Sequence, residues 1–381
     1  MIYANYAATS PALSPAAARE LCAYAGGTHL NAGRNFEGLE AGAAALRARR
    51  AVAALFGIAD PLRVILTSGA TAALNMAIHG LARPRCRVLA TCVEHNAAAR
   101  PLQALAQSGL IALDWLTCDC CGSLDSAALR AALTSEPRQE RARLLVMTHA
   151  SNVLGTILPA AECYAVAREH GVLTILDAAQ TGGVLPFTMN DCCDLLVFAG
   201  HKGLGGLAGT GGFVLGERAV REMRPWLRGG TGSASASLDM PDFLPDKFEP
   251  GTQNTAGALC LAAAVEGILC EGTAAIRERE RALTARFLAG LCAVKKARVF
   301  GTRDAARSVA VVSLVIEGSD SGDVSRRLFE QHGIVTRSGL HCSPLAHTTA
   351  GTFPAGTVRF SFGSGTTEAE IDAILEALSA F

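Results

Sequence analysis

Asp194-Leu-Leu-Val-Phe-Ala-Gly-His-Lys-Gly-Leu-Gly-Gly-Leu-Ala-Gly-Thr-Gly-Gly212 is the stretch on which the fold reading turns. Its apolar run, Leu195 to Ala199, reads as a buried strand that delivers Gly200-His201-Lys202 into a glycine-crowded loop where backbone approaches something closely. Lys202 sits among glycines and apolar residues, with Asp194 the one nearby acid, before the strand. Such surroundings depress the pKa of an amine and let it attack a carbonyl as the free base, forming a Schiff base.

Upstream, the same pattern repeats. Leu62 to Thr67, Arg87 to Cys92, Leu110 to Leu116, Arg143 to His149 and Val172 to Asp177 read as strands, with helical segments between them at Ala72–Leu81, Leu124–Leu133 and Ala160–His170. Strands alternating with helices make an α/β fold with a large, mostly parallel sheet covered on both faces. Polar residues recur just past the carboxyl ends of the strands: Ser68 with Thr71, His95, Asn152, Asp177 with Gln180, and His201 with Lys202. In open α/β sheets that edge holds the ligand. The turn Ser68-Gly-Ala-Thr71 opens a helix, whose first N–H groups are unpaired and whose dipole favours an anion.

The flanks divide the chain into an N-terminal segment, 1–14, a large domain, 15–255, and a smaller α+β domain, 256–381. A helix begins near Pro15, Thr28 to Arg34 is a polar loop, and Gly38 to Phe56 is helical by composition. Ser233 to Leu238 is small and polar. One long helix, about Ala256 to Leu291, is expected to link the domains, and the N-terminal segment to pack with the small one. The latter carries strands at Val309–Ile316, around Ile334–Arg337 and at Val358–Phe362, helices at Ser321–Gln331 and Thr367–Leu378, and the loop Ser338-Gly-Leu-His-Cys-Ser-Pro344.

With 381 residues and 50% hydrophobic content, the chain can bury a large core. Lys+Arg and Asp+Glu are 34 each, a balance that argues against nucleic acid or an anionic membrane as partner and favours small-molecule chemistry. No apolar stretch is long enough to span a bilayer, and Met1-Ile-Tyr-Ala-Asn-Tyr6 lacks the character of a signal peptide, so the expected location is cytoplasmic and most of the 13 cysteines reduced. Cys118-Asp-Cys120-Cys121 and Cys192-Cys193 lack a second pair at zinc-site spacing, and no metal is expected.

A carbanion-stabilising aldehyde cofactor requires an amine, an acid for its pyridine nitrogen, a donor for its phenolate oxygen, a stacking ring and an anion site for its phosphate. Lys202 is the amine, Asp177 the acid, Gln180 the donor, His95 the ring, and Thr71 with His201 the phosphate donors. Singly, Asp177 could cap a helix and His95 could be a core histidine. Together at one sheet edge they make a site.

The sequence resembles the class V aminotransferase-like family of fold-type I pyridoxal-phosphate enzymes, and within it the cysteine desulfurase and selenocysteine lyase branch. The resemblance runs from Tyr3-Ala-Asn-Tyr-Ala-Ala-Thr9 to Val358-Arg-Phe-Ser-Phe-Gly363. It is carried most specifically by Glu94-His95-Asn96, Ser151-Asn-Val-Leu-Gly-Thr156, Asp177-Ala-Ala-Gln180, Gly200-His-Lys202, Phe248-Glu-Pro-Gly-Thr-Gln-Asn254 and Arg337-Ser-Gly-Leu-His-Cys342. It implies a seven-stranded sheet of the pyridoxal-phosphate transferase fold and pyridoxal 5'-phosphate as cofactor. It also implies a homodimer with shared sites, in which Thr252 reaches the partner's phosphate, and Asn152 beside the cofactor and substrate. Arg359 is then the substrate-carboxylate ligand and Cys342 the nucleophile that keeps sulfur as a persulfide, with L-cysteine or L-selenocysteine as substrate, alanine as product and a possible acceptor protein for the sulfur.

His341, beside Cys342, is read as favouring its thiolate. Four departures from the family pattern stand out: Asn5 and Tyr6 where Asp and Asn are usual, and Ala70 and Ala199 where hydroxyls are common. Ala70 is still counted with Thr71 in the phosphate cup. The short Cys342 loop resembles the desulfurase group that hands sulfur to a dedicated acceptor. Selenocysteine lyase, another class V transaminase or epimerase, and a degenerate dimeric scaffold or sulfur-relay partner stay open as alternatives.

Overall fold

The computed structural model describes residues 1–27, 39–134 and 142–381. The loop expected at Thr28–Arg34 lies outside the described residues, and the following helix is seen as Leu39–Phe56. Among the described residues the large sheet has seven strands, in the order Val64–Thr67, Gly211–Leu215, Leu195–Ala199, Leu173–Asp177, Ala142–Thr148, Cys86–Thr91, Ile111–Leu116. Gly211–Leu215 alone runs against the rest. That strand replaces the loop that the glycine-rich run suggests. It passes so close to its neighbours that a Cβ at Gly212 would lie 2.1 Å from the Ile65 carbonyl oxygen, so glycine here serves close strand packing as well as the turn.

Two layers of apolar side chains cover the sheet, as the two-residue period of a strand requires. Leu196 and Phe198 face one core and Leu195 and Val197 the other. The central strands are therefore buried on both faces and read as unbroken apolar runs. Their carboxyl ends open on one edge.

The expected single helix at 256–291 is two, Thr255–Glu271 and Thr273–Leu291, set at 81° to each other. Gly272 separates them at φ +86°, a conformation glycine adopts without the steric cost of a Cβ. Beyond the elbow a four-stranded antiparallel sheet runs Arg337–Gly339, Thr357–Ser361, Val311–Ile316, Ala297–Phe300. The final helix, Glu368–Ser379, starts with the capping box Thr367/Glu370. Ile2–Tyr3 pairs in parallel with Ile334–Val335, and Asn5 bridges to Ser361. Among the described residues no single helix is long and apolar enough to cross a membrane.

Glu249, from the motif Phe248–Asn254, has a structural task. Buried Arg49 meets it with two nitrogens, at 2.6 and 2.5 Å, and the Leu66 N–H donates to the same carboxylate at 2.6 Å. This pair pins the helix Leu39–Phe56 to the edge strand Val64–Thr67. Glu249→Ala leaves the guanidinium buried and uncompensated and is expected to cost about 3–5 kcal/mol, measured by urea unfolding. Replacing both partners with apolar residues is expected to recover most of that loss.

Candidate active site

The sheet edge forms the floor of a cavity of about 350 Å³. It brings together Ala70, Thr71, His95, Asn152, Asp177, Gln180, His201, Lys202 and Arg359, and adds Arg337. Thr252 lies instead in an adjoining groove that shares Ser68 and Gly209 with the cavity.

Each position follows from local structure. Gly200 ends its strand against Thr210, where a Cβ would sit 2.1 Å from the threonine hydroxyl, so the chain turns there and presents Lys202. Burial pushes the Lys202 amine down to about 8, with the Asp177 charge pulling the other way. Asp177 closes its strand and accepts the Ala179 N–H at 2.9 Å. Burial raises its carboxyl above the usual range, while that N–H and Lys202 favour the charged form.

His95 caps the helix Asn96–Gln107, its Nδ1 accepting the Ala97 N–H at 3.0 Å. The bond leaves the proton of the neutral ring on Nε2. Burial, and then the Lys202 charge, hold this imidazole down to about 4, so it is uncharged at neutral pH. Capping and a place in the site are thus one arrangement.

The phosphate cup expected at Ser68–Thr71 is the N-terminus of the helix Ala70–Leu81, which starts two residues before the expected Ala72. Gly69, at φ +146°, gives no side-chain cap, and the first turn faces the cavity. His201 shares a hydrogen bond of 3.0 Å between Nδ1 and the Thr9 hydroxyl, which turns Nε2 into its remaining polar atom. Gln180 donates from Nε2 to the Ala7 carbonyl at 3.0 Å and keeps a second N–H. An anion cradle, a half-buried amine and a buried acid line one cavity, and this donor set fits a phosphorylated pyridine aldehyde.

The small domain supplies the cations. Arg337 and Arg359 are opposite each other on adjacent strands. Arg359 is 1% exposed, donates to the Asn152 carbonyl and to Asn5 Oδ1, both at 3.0 Å, and among the described residues has no partner on Nε. Both of its partners are uncharged, and among the described residues neither Arg359 nor Arg337 forms an ion pair with a carboxylate. That is a receptor for an anionic group.

The Cys342 loop is tied down at several points. The Asn152 amide donates to the His341 carbonyl at 2.9 Å and accepts the Ser343 hydroxyl at 3.0 Å. Ser343 also donates to the Glu94 carbonyl, and the Asn96 N–H to the Cys342 carbonyl. Asn152 therefore braces the loop with the amide expected to meet substrate. Glu94 holds two strand ends together, its Oε1 accepting from Thr91 Oγ1 and the Thr148 N–H, and burial raises its carboxyl to about 8.

His341 and Cys342 both have positive φ, +49° and +59°, which turns the imidazole inward and leaves the thiol exposed. His341 is buried against the Thr357 hydroxyl, at 3.1 Å, and burial drives it down to about 2. An uncharged, inward ring gives the sulfur no cation, and this corrects the reading of His341 as the thiolate's helper. Arg337 takes that place, its Nη2 donating to Cys342 Sγ at 3.3 Å. A guanidinium aimed at sulfur stabilises negative charge there. The signal was within reach, because Arg337 precedes Cys342 by five residues across a tight turn. Arg337→Ala is expected to slow carboxymethylation of Cys342 by iodoacetate about tenfold or more at pH 7, with Arg337→Lys recovering part of the rate.

A family model for aminotransferase class-V matches residues 2–374. A probable cysteine desulfurase of Xylella fastidiosa is 34% identical over 350 residues, 90% of this chain and 81% of that protein. One from Vibrio cholerae is 32% identical over 342 residues, 87% and 81% of the two chains. Among solved structures, the apo cysteine desulfurase of Thermococcus onnurineus superposes with a TM-score of 0.91 at 27% identity, over 100% of this chain and 94% of that one. A cysteine desulfurase of Escherichia coli in its S-sulfonic acid form gives 0.86 at 25% identity, over 99% and 94%.

Proposed function

The chain belongs to the aminotransferase class-V family, and from that premise we infer that it is a cysteine desulfurase, which moves sulfur from L-cysteine to Cys342 and leaves L-alanine. The observation that carries the residue assignment is the pairing of an exposed thiol, under a guanidinium, with a cavity that holds a half-buried lysine and a buried arginine without an ion pair among the described residues.

We assign pyridoxal 5'-phosphate to the cavity, with its phosphate at the helix start of Ala70 and Thr71 and His201, its ring nitrogen at Asp177, its ring beside His95 and Gln180, and its aldehyde at Lys202. When bound, it supplies the electron withdrawal that labilises the bonds around the substrate's α-carbon. Arg359, assisted by Arg337, binds the substrate carboxylate through parallel N–H donors. Lys202, with an amine lowered by burial, takes and returns protons at the substrate carbons. His95 offers a neutral Nε2–H within the same cavity. Cys342, as thiolate, attacks the substrate sulfur; the new S–S bond forms as the C–S bond breaks, and the carbon left behind is protonated to give alanine.

The reading extends to a homodimer. Thr252 is exposed outside its own chain's cavity but in the groove beside it, and the apolar side chains of Trp226, Leu227 and Phe243 stand exposed on the segment before it. A protein acceptor for the persulfide sulfur fits the exposure of Cys342.

The deciding experiment incubates the cofactor-loaded protein with L-cysteine or L-selenocysteine, quantifies alanine, sulfide and selenide, and looks for a 32-Da persulfide adduct on the Cys342 peptide. Alanine without any adduct in single turnover with L-cysteine would remove Cys342 from the mechanism.

A further inference from the structure

A second cavity, of about 260 Å³, lies in the crook of the elbow between the helices Thr255–Glu271 and Thr273–Leu291. It is closed on its other sides by the N-terminal segment at Tyr6 and by the strand end at Phe362, and its walls are mainly apolar, with Val184, Leu204, Ile268 and Ile276 among them. Ala7, Ala179, Gln180 and Lys202 border both this cavity and the catalytic one. The reaction assigned above makes no use of it.

Glu280 is the polar group that the apolar walls leave unexplained. It lines the cavity and is only 6% exposed, yet among the described residues its carboxyl makes no hydrogen bond and no ion pair. Among the described residues the one side-chain hydrogen bond to this residue ends on its backbone, where the Thr284 hydroxyl donates to the carbonyl at 2.7 Å. Its neighbour Arg279, which also lines the cavity, is ion-paired with Glu271 across the elbow, and the Glu280 carboxyl feels its charge and that of Arg277 without a direct ion pair. A buried carboxyl without a partner carries a desolvation cost that a complementary ligand relieves, and burial accordingly raises this one to about 8. Mainly apolar walls with a few polar groups, here Glu280 beside Tyr6, Gln180, Lys202 and the Glu271–Arg279 pair, are the composition of a small-molecule site.

We propose that the elbow cavity is a second ligand site, which takes a small organic cation with an apolar body and holds it by its charge and N–H groups on the Glu280 carboxylate. A flat cation with two parallel N–H donors suits a carboxylate best, because both oxygens are satisfied at once. A carboxylate paired in this way inside an apolar wall discriminates strongly against an uncharged analogue, which leaves the acid unpaired. Bound there, the ligand touches both arms of the elbow and the wall that carries Gln180 and Lys202.

Benzamidine is a suitable probe: its ring matches the apolar walls, its amidinium matches Glu280, and benzamide is its uncharged isostere. Calorimetric titration of benzamidine into the cofactor-loaded full-length chain is expected to show one saturable site per chain, with benzamide at least tenfold weaker. Glu280→Gln, which keeps the shape and removes the charge, is expected to weaken benzamidine at least tenfold. Ala264→Leu, which fills the cavity from its buried wall and leaves Glu280 in place, is expected to remove the site. Absence of saturable binding, or undiminished binding in a folded Glu280→Gln or Ala264→Leu protein, overturns the proposal; should neither variant fold, equal affinity of benzamide and benzamidine for the parent does so. These binding readouts do not depend on desulfurase activity.

Discussion

Cys342→Ala protein is expected to turn over L-cysteine at no more than about a thousandth of the parent rate, the scale seen when a covalent nucleophile is removed. The thiol is exposed, its backbone is locked at positive φ by bonds to Asn96 and Asn152, and its sulfur receives an N–H from Arg337. Alanine keeps that backbone and removes only the sulfur. With substrate binding assigned to Arg359, which is anchored on Asn152 and Asn5, the KM for L-cysteine is expected to stay within a fewfold while kcat collapses. A variant that still releases sulfide at the parent rate excludes the persulfide route. One that loses cysteine turnover but keeps L-selenocysteine turnover identifies a lyase, in which selenium leaves without the thiol's help.

The parallel strands were legible because burial on both faces leaves unbroken apolar runs such as Leu195–Ala199, and because the polar residues after them gather at one edge. Gly211–Leu215 was harder to see. Its glycines serve strand packing against Phe198 and Ile65, and composition alone cannot separate that use of glycine from a flexible loop. Gly272 hid for the opposite reason: one glycine in a long helical pattern is compatible with a continuous helix, and its positive φ, together with the placement of two apolar faces, shows the break. The loop at Cys342 shows the limit most clearly. Adjacency in sequence pointed to His341 as the thiol's partner, but two consecutive residues in the left-handed region send their side chains apart, and a strand residue, Arg337, meets the sulfur. Likewise Glu249 belongs to a recognisable motif and yet serves a buried ion pair with Arg49, 200 positions away.

Lys202→Ala is expected to lose at least about a thousandfold in turnover and all borohydride-stable attachment of the cofactor, and the chemistry of the amine can be tested separately in cofactor-free protein. Burial places the Lys202 amine at about 8, against about 10.4 for an ordinary lysine. Reductive methylation with formaldehyde and cyanoborohydride requires the free base. Labelling of the Lys202 peptide is therefore expected to rise about tenfold per pH unit up to about pH 8 and then level off, whereas an ordinary lysine keeps rising for two further units. The sign of the Asp177 contribution gives the sharper test. Its negative charge stabilises the ammonium and raises the midpoint, in opposition to burial. Asp177→Asn keeps the shape and removes the charge, so the plateau should begin at a lower pH. A midpoint near 10 in the parent would show that water reaches the amine freely. An upward move in Asp177→Asn would show that the carboxyl is not charged beside it, and with that the pairing of amine and acid assigned to this cavity would fail.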